Sequence, residues 1–230
     1  MGQNTENLKN FIKQHAFDIN RRALQTLYSA AQNELSPSDV GKLSELFINA
    51  HENILNNLRY VPDFYLYDNR SIKSVTLPKE VTYIGVRAFS FSDIKNIEIP
   101  ENINFIGADA FYNSSLTNIT FNNKLFTIGA RAFAYTKLRK VQINTPQLSI
   151  FQGAFKSCSK LTLVEIEADQ VSLDFDVFAN CANLIEIHFP RINSSDLGSI
   201  KSWLSTELWF KKQVIIYCKD KIFVAGEENG

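Results

Sequence analysis

The strongest constraint in this sequence is a short motif that returns at a fixed interval. Ile84-Gly85-Val86-Arg87-Ala88-Phe89 comes back as Ile106-Gly107-Ala108-Asp109-Ala110-Phe111 and as Ile128-Gly129-Ala130-Arg131-Ala132-Phe133. Weaker copies run from Ile150 to Phe155 and from Leu173 to Phe178, so the phenylalanines stand 22, 22, 22 and 23 residues apart. Each is followed by an apolar triplet spaced i, i+3, i+5: Ile94/Ile97/Ile99, Leu116/Ile119/Phe121, Leu138/Val141/Ile143, Leu161/Val164/Ile166 and Leu184/Ile187/Phe189. A half-copy precedes them, with Tyr67 in the phenylalanine slot and Ile72/Val75/Leu77 as its triplet. One such repeat cannot bury its own apolar face, whereas stacked repeats share a continuous core. The period therefore dictates a solenoid of about six coils.

An LxxLxL-like triplet at a period of 22–23 residues is the leucine-rich-repeat pattern. Each triplet predicts a short strand whose alternate residues point into the core. Gly85, Gly107 and Gly129 predict a turn that needs either a positive φ or close backbone approach. Asp174 takes that slot in the fifth copy, and Phe151 in the fourth predicts a locally different backbone. Arg131, in the same turn as Phe133, reads as a surface residue. Pro78, Pro100 and Pro190 follow the predicted strands, where a missing N–H ends a ladder.

The flanks leave the period. Residues 1–60 read as short helices with apolar faces such as Leu8/Phe11/Ile12/His15 and Leu24/Leu27/Tyr28/Ala31, and Ser36-Pro37-Ser38-Asp39 reads as a helix start. Their apolar stripes suit a cap on the first coil, which would otherwise expose an apolar cross-section. Residues 192–230 predict a helix from Ser194-Ser195-Asp196 through Ile200, Trp203 and Leu204, then a hairpin of Val214–Tyr217 and Ile222–Val224 around Lys219-Asp220-Lys221. The expected fold class is α+β: a helical cap over 1–60, a leucine-rich-repeat solenoid over 61–191, and a helix-plus-hairpin cap over 192–230, with Trp203 and Trp209 covering the last coil and the tail from Gly226 frayed.

Ile-Gly-x-x-Ala-Phe, a small residue three positions on, then Leu-x-x-Ile-x-Ile-Pro resembles the BspA-like leucine-rich repeat over roughly residues 66–190. The lead-in Tyr60-Val61-Pro62-Asp63-Phe64-Tyr65-Leu66-Tyr67, after a helical block, resembles that of compact phage-encoded members. The resemblance implies a non-enzymatic protein-binding solenoid and, through the phage-like lead-in, an antagonist of a host defence protein. Surface members of that family carry secretion signals or anchors, and neither is visible here, so a cytoplasmic setting is the expectation.

Composition narrows the chemistry. Lys plus Arg and Asp plus Glu balance at 24 each, leaving no basic field for a nucleic acid. No run of 18 apolar residues suggests a membrane span. Phosphate loops, His-Glu-x-x-His, EF-hand loops and nucleophile elbows are absent from the sequence, so no catalytic residue, metal site or cofactor is expected. Cys158 and Cys181 follow their phenylalanines by three, where earlier copies carry Ser92, Ser114 and Thr136. A small-residue ladder is the plainer reading, and a redox or metal pair the competing one. Glu165, Glu167, Asp169, Asp174 and Asp176 lack calcium-loop spacing and are expected to pair with Lys137, Arg139 and Lys140 across coils.

A protein partner remains, and the outward columns of the predicted sheet are where it would bind. One column is Ser74, Asn96, Asn118, Lys140, Leu163 and Glu186; the other is Thr76, Glu98, Thr120, Gln142, Glu165 and His188. With Arg139 beside them, Asn96, Glu98, Asn118, Thr120, Lys140, Gln142, Leu163, Glu165, Glu186 and His188 are the candidate partner-binding residues. Phe91 and Tyr135 are candidate apolar anchors whose plainer role is packing on the neighbouring turn. A structural or attachment component that binds a surface protein or glycan is the alternative function.

Overall fold

The computed structural model describes residues 59–196 and 214–225. The expected helical cap, all but its last two residues, lies outside the described residues. So do Trp203 and Trp209, most of the predicted cap helix and the tail.

Six coils stack as expected, and each contributes strands to two sides of the body. On one side run β1 (Tyr60–Val61), β2 (Tyr83–Ile84), β4 (Phe105–Ile106), β6 (Thr127–Ile128), β8 (Gln147–Ile150) and β10 (Gln170–Leu173), all parallel. The predicted triplet strands occupy the other side as β3 (Asn96–Glu98), β5 (Asn118–Thr120), β7 (Lys140–Asn144), β9 (Leu163–Glu167) and β11 (Glu186–Phe189). β12 (Val214–Cys218) continues that side parallel to β11, and β13 (Ile222–Ala225) folds back antiparallel, which gives the predicted hairpin. The triplet side is not one sheet: β3 and β5 pair alone, while β7, β9, β11, β12 and β13 form a separate five-stranded sheet. The first coil adds only the Ser74–Asn96 bridge.

Between the two sides the phenylalanines form a ladder. Phe89, Phe111, Phe133 and Phe155 stack at centroid separations of 5.0, 5.1 and 5.2 Å, and Phe178 follows at 5.6 Å. All five are buried. The period of the sequence becomes the spacing of the rings, because parallel neighbours lie about 4.8 Å apart.

The first rung is not Tyr67. Leu66 donates its N–H to Ala88 O as Phe89 does to Ala110 O, and Leu66 is buried while Tyr67 is only half-buried. The first interval is therefore one residue longer than the three that follow it, a shift invisible where Tyr65, Leu66 and Tyr67 all suit an apolar slot.

Two positions per coil take left-handed backbone. Two residues before the rung stand Phe64, Arg87, Asp109, Arg131, Gly153 and Asp176; two after it stand Asp68, Phe91, Asn113, Tyr135, Ser157 and Asn180. Gly85, Gly107 and Gly129, for which either a positive φ or close backbone approach was expected, are not among these. A Cβ on Gly107 would lie 2.8 Å from Gly85 C, and one on Gly129 would lie 2.7 Å from Ala108 N. Close backbone approach is their reason. Phe151 keeps the ladder despite its side chain, since its N–H donates to Ile128 O at 2.9 Å as Gly129 N donates to Ile106 O at 2.7 Å. The expected local departure there does not occur; its ring turns outward and stays about half exposed.

Arg131 is exposed, as expected, yet it is not without partners. Its guanidinium grips the buried carboxylate of Asp109 with two bonds, Nε at 2.8 Å and a terminal nitrogen at 2.9 Å, and Arg87 reaches the same carboxylate at 3.3 Å. The hydrogen bond to Asp109 raises the already high Arg131 pKa further. Three coils are thus joined by an Arg–Asp–Arg ladder at the left-handed position. Phe133→Ala should cost about 3 to 5 kcal/mol. Arg131→Ala should cost about 1 to 3 kcal/mol rather than nothing, because it strips partners from a buried carboxylate. Urea unfolding of both variants measures this; an Arg131→Ala protein as stable as the wild type would show that Arg87 alone satisfies Asp109.

Candidate interaction face

The long strands β7, β9 and β11 form the more extensively paired part of the predicted binding face. Their inward residues Val141, Ile143, Val164, Ile166 and Ile187 are buried, which forces the alternate residues outward. Register places Lys140, Leu163 and Glu186 side by side, and Gln142, Glu165 and His188 beside them. β12 then extends both rows, Ile215 next to Glu186 and Tyr217 next to His188, and β13 adds Val224 and Ile222. These last four were missed as site residues because their strands lie outside the period, although alternation in Val214–Tyr217 would have marked Ile215 and Tyr217 as outward.

The polar residues of this face are tied to one another, both across coils and within β11. Gln142 Nε2 donates to Glu165 at 2.7 Å, and Lys140 stands 3.8 Å from the same carboxylate. His188 Nε2 lies 2.9 Å from Glu186, and its ring packs against Tyr217 at 4.3 Å between centroids. Leu163 is half-buried between Lys140 and Glu186. Arg139 precedes β7 with its side chain exposed, and its carbonyl accepts the N–H and hydroxyl of Thr162.

Asn96, Glu98, Asn118 and Thr120 lie on the separate β3–β5 pair. Asn118 Nδ2 donates to Asn96 Oδ1 at 3.0 Å, so this half carries a short amide ladder. An open depression of about 420 Å³ beside it is lined by Val75, Thr76, Leu77, Glu98 and Pro100. The candidate residues therefore fall into two groups rather than one continuous platform.

The acidic cluster is dispersed by its partners, only one of which was expected. Glu165 faces Lys140, but Glu167 and Asp169 pair with Arg191 at 3.3 and 3.8 Å, and Asp176 with Lys156 at 2.6 Å. Cys158 and Cys181 are buried in the small-residue ladder. Cys158 Sγ sits 3.3 Å from Thr136 Oγ1, and Cys181 Sγ donates to Phe155 O at 3.1 Å. The hydrogen bond to Cys158, together with burial, pushes the Cys181 thiol well above its ordinary pKa. Phe91 and Tyr135 pack edge-on in an outer aromatic ladder, Tyr67–Phe91–Tyr112–Tyr135, at 5.7, 5.5 and 5.3 Å. That is the neighbouring-turn role, although Tyr135 keeps an exposed surface.

A feature the period concealed lies on the opposite side. Tyr83, Phe105, Phe126, Phe151 and Phe175, in or beside the short strands, are exposed. Tyr60 and Tyr83 stack at 5.0 Å. The aromatic character of these positions is plain in the sequence; their outward aim was not, since no strand was predicted there.

Among the described residues no group of His, Cys, Asp and Glu could hold a metal ion, and no helix is long and apolar enough to cross a membrane. What the face offers is shape, apolar surface and hydrogen bonding, the Glu186–His188 pair included.

Asp220, in the hairpin turn, accepts the Ser194 N–H at 2.6 Å and its hydroxyl at 2.7 Å, which lowers its pKa. A depressed carboxylate contributes stability above its unfolded pKa and loses it as pH falls through the folded value. Amides of Ile215 and Tyr217 should therefore lose hydrogen-exchange protection below the ordinary carboxylate range sooner than that of Val164, after correction for intrinsic rates. Asp220→Asn should remove this pH dependence, and its persistence in that variant would assign it elsewhere.

Comparison with known proteins finds solved structures of leucine-rich-repeat proteins. The solved structure of a leucine rich cell surface protein from Faecalibacterium prausnitzii A2-165 matches with 25% identity and a TM-score of 0.53, over 58% of this chain and 36% of that protein. The T. pallidum leucine rich repeat protein matches at 23% identity and a TM-score of 0.43, over 63% of this chain and 76% of that one. A leucine-rich repeat protein from Bacteroides ovatus ATCC 8483 matches at 21% identity and a TM-score of 0.33, over 56% of this chain and 46% of that one. The matches thus span about a third to a half of the Faecalibacterium and Bacteroides proteins. No curated protein matches the sequence. The family described as "BspA type Leucine rich repeat region" matches residues 91–201 in six copies, so over those residues the chain is similar to that family.

Proposed function

We propose that this protein binds a protein partner through the outward face of β7, β9, β11, β12 and β13, without catalysis. One observation carries the reading: along two registered rows, a polar edge at Lys140, Gln142 and Glu165 passes into an apolar end at Ile215, Tyr217 and Ile222. Interfaces concentrate their energy in apolar and aromatic centres bordered by polar groups. The cross-coil bond between Gln142 and Glu165 and the Glu186–His188 contact within β11 also reduce the ordering cost of binding.

A narrower reading makes the partner a host protein and this chain a phage-encoded antagonist acting in the host cytoplasm. It is supported by the lead-in resemblance at Tyr60–Tyr67. The attachment reading is supported by the Faecalibacterium likeness, since that protein is described as a cell surface protein.

Lys140→Glu combined with Leu163→Asp should weaken partner capture by about 2 kcal/mol or more, roughly thirtyfold. Lys79→Glu with Lys124→Glu, on exposed turns, should leave capture intact. The measurement is affinity capture from lysate of the natural host, with bound species identified by mass spectrometry and melting curves run on each variant. Loss of capture in the turn pair, with the sheet pair unaffected, would overturn this assignment of the face.

A further inference from the structure

We propose, on the protein-binding reading of the sheet face, that Lys95, Lys137, Arg139 and Lys160 form a patch that receives a short acidic segment of the partner. All four are exposed. Lys137 and Lys160 hold equivalent places on adjoining coils, each just before the buried first residue of its triplet, Leu138 or Leu161. Arg139 follows Leu138, and Lys95 holds the same place two coils earlier. Thr117 lies between them and donates its N–H to Lys95 O at 2.8 Å. Lys137 and Arg139 were expected to meet the acidic cluster, yet its paired carboxylates are held by Lys140, Arg191 and Lys156. Among the described residues none of the four cations makes an ion pair.

Charge identifies the occupant. Like charges on adjoining coils repel, and without a counter-charge that repulsion stands uncompensated in the free protein. Neighbouring carboxylates are already engaged: Asp93 holds Lys73, Arg70 and the Ser115 hydroxyl, and Glu165 holds Gln142 with Lys140 beside it. An incoming carboxylate therefore displaces no internal pair. The rest of the face keeps the acidic stretch short. Glu98, Glu165 and Glu186 are outward residues of the triplet side and would repel a continuous polyanion carried across it. In the row that begins at Arg139, Thr162 donates its N–H to Arg139 O, and Ile185 donates to Thr162 O. The cation thus leads to an apolar side chain, Ile185 being 48% exposed. A few carboxylates followed by apolar residues fit this order, and such border charges set association rate and partner choice.

The test is fluorescence anisotropy of a labelled oligoglutamate peptide, set against an oligolysine peptide and a single-stranded oligonucleotide of matching length. Wild type should bind oligoglutamate most tightly of the three, and more weakly as salt rises. Lys137→Gln/Arg139→Gln/Lys160→Gln should weaken that binding about tenfold. It should melt at the wild-type temperature or above, since it removes repulsion. Lys79→Gln/Lys124→Gln, on exposed turns, should bind as wild type does. Absence of oligoglutamate binding by wild type would overturn the proposal, and so would a triple variant of undiminished affinity. Tighter binding of the oligonucleotide would overturn it in favour of a nucleic acid. Partner capture separates failure here from failure of the face. Capture lost in Lys140→Glu/Leu163→Asp but unchanged in the triple variant overturns the acidic segment alone, whereas capture unaffected in both overturns the face itself.

Discussion

Every coil of this protein must tolerate a copy of itself about 5 Å away. Parallel strand pairing sets that distance, and the phenylalanine rings adopt it, at 5.0 to 5.6 Å. The condition decides which residues can recur. A flat apolar ring can, because stacked rings fill the gap between coils. A small polar side chain can, because it turns back to a carbonyl of its own or the preceding coil, as Ser92 does to Phe89 O and Cys181 to Phe155 O. A buried charge of one sign cannot. The left-handed position solves this by alternation, with Asp109 between Arg87 and Arg131. Gly107 and Gly129 answer the same condition where backbone meets backbone.

This is why the inside of the repeat was legible in the sequence and parts of its edges were not. Position in the period predicted the rungs from Phe89 to Phe178, the triplet strands and the thiol ladder, since each is fixed by contact with its own copy. The second set of strands escaped notice because only the inward residue of each pair, such as Ile84 or Ile106, follows the pattern. The residue before it drifts from the exposed Tyr83 and Phe105 to the buried Thr127. The partner of Arg131 was hidden for a related reason. Sequence alone shows an exposed cation, whereas its energetic importance comes from the carboxylate it holds 22 residues away. The candidate face was legible as two outward columns. Its division between β5 and β7, and its continuation through Ile215 and Tyr217, depend on pairing that no period records.

Strand length separates the two halves of that face. β3 and β5 hold three residues each, whereas β7 and β9 pair over five. Longer pairing fixes more backbone, and fixed backbone presents side chains in one arrangement. The residues with cross-coil bonds on the longer strands are therefore better placed to recognise a defined surface than the exposed amides of Asn96 and Asn118. The hairpin reinforces this end: Asp220 ties its turn to Ser194, and Lys219 N–H donates to Ile192 O.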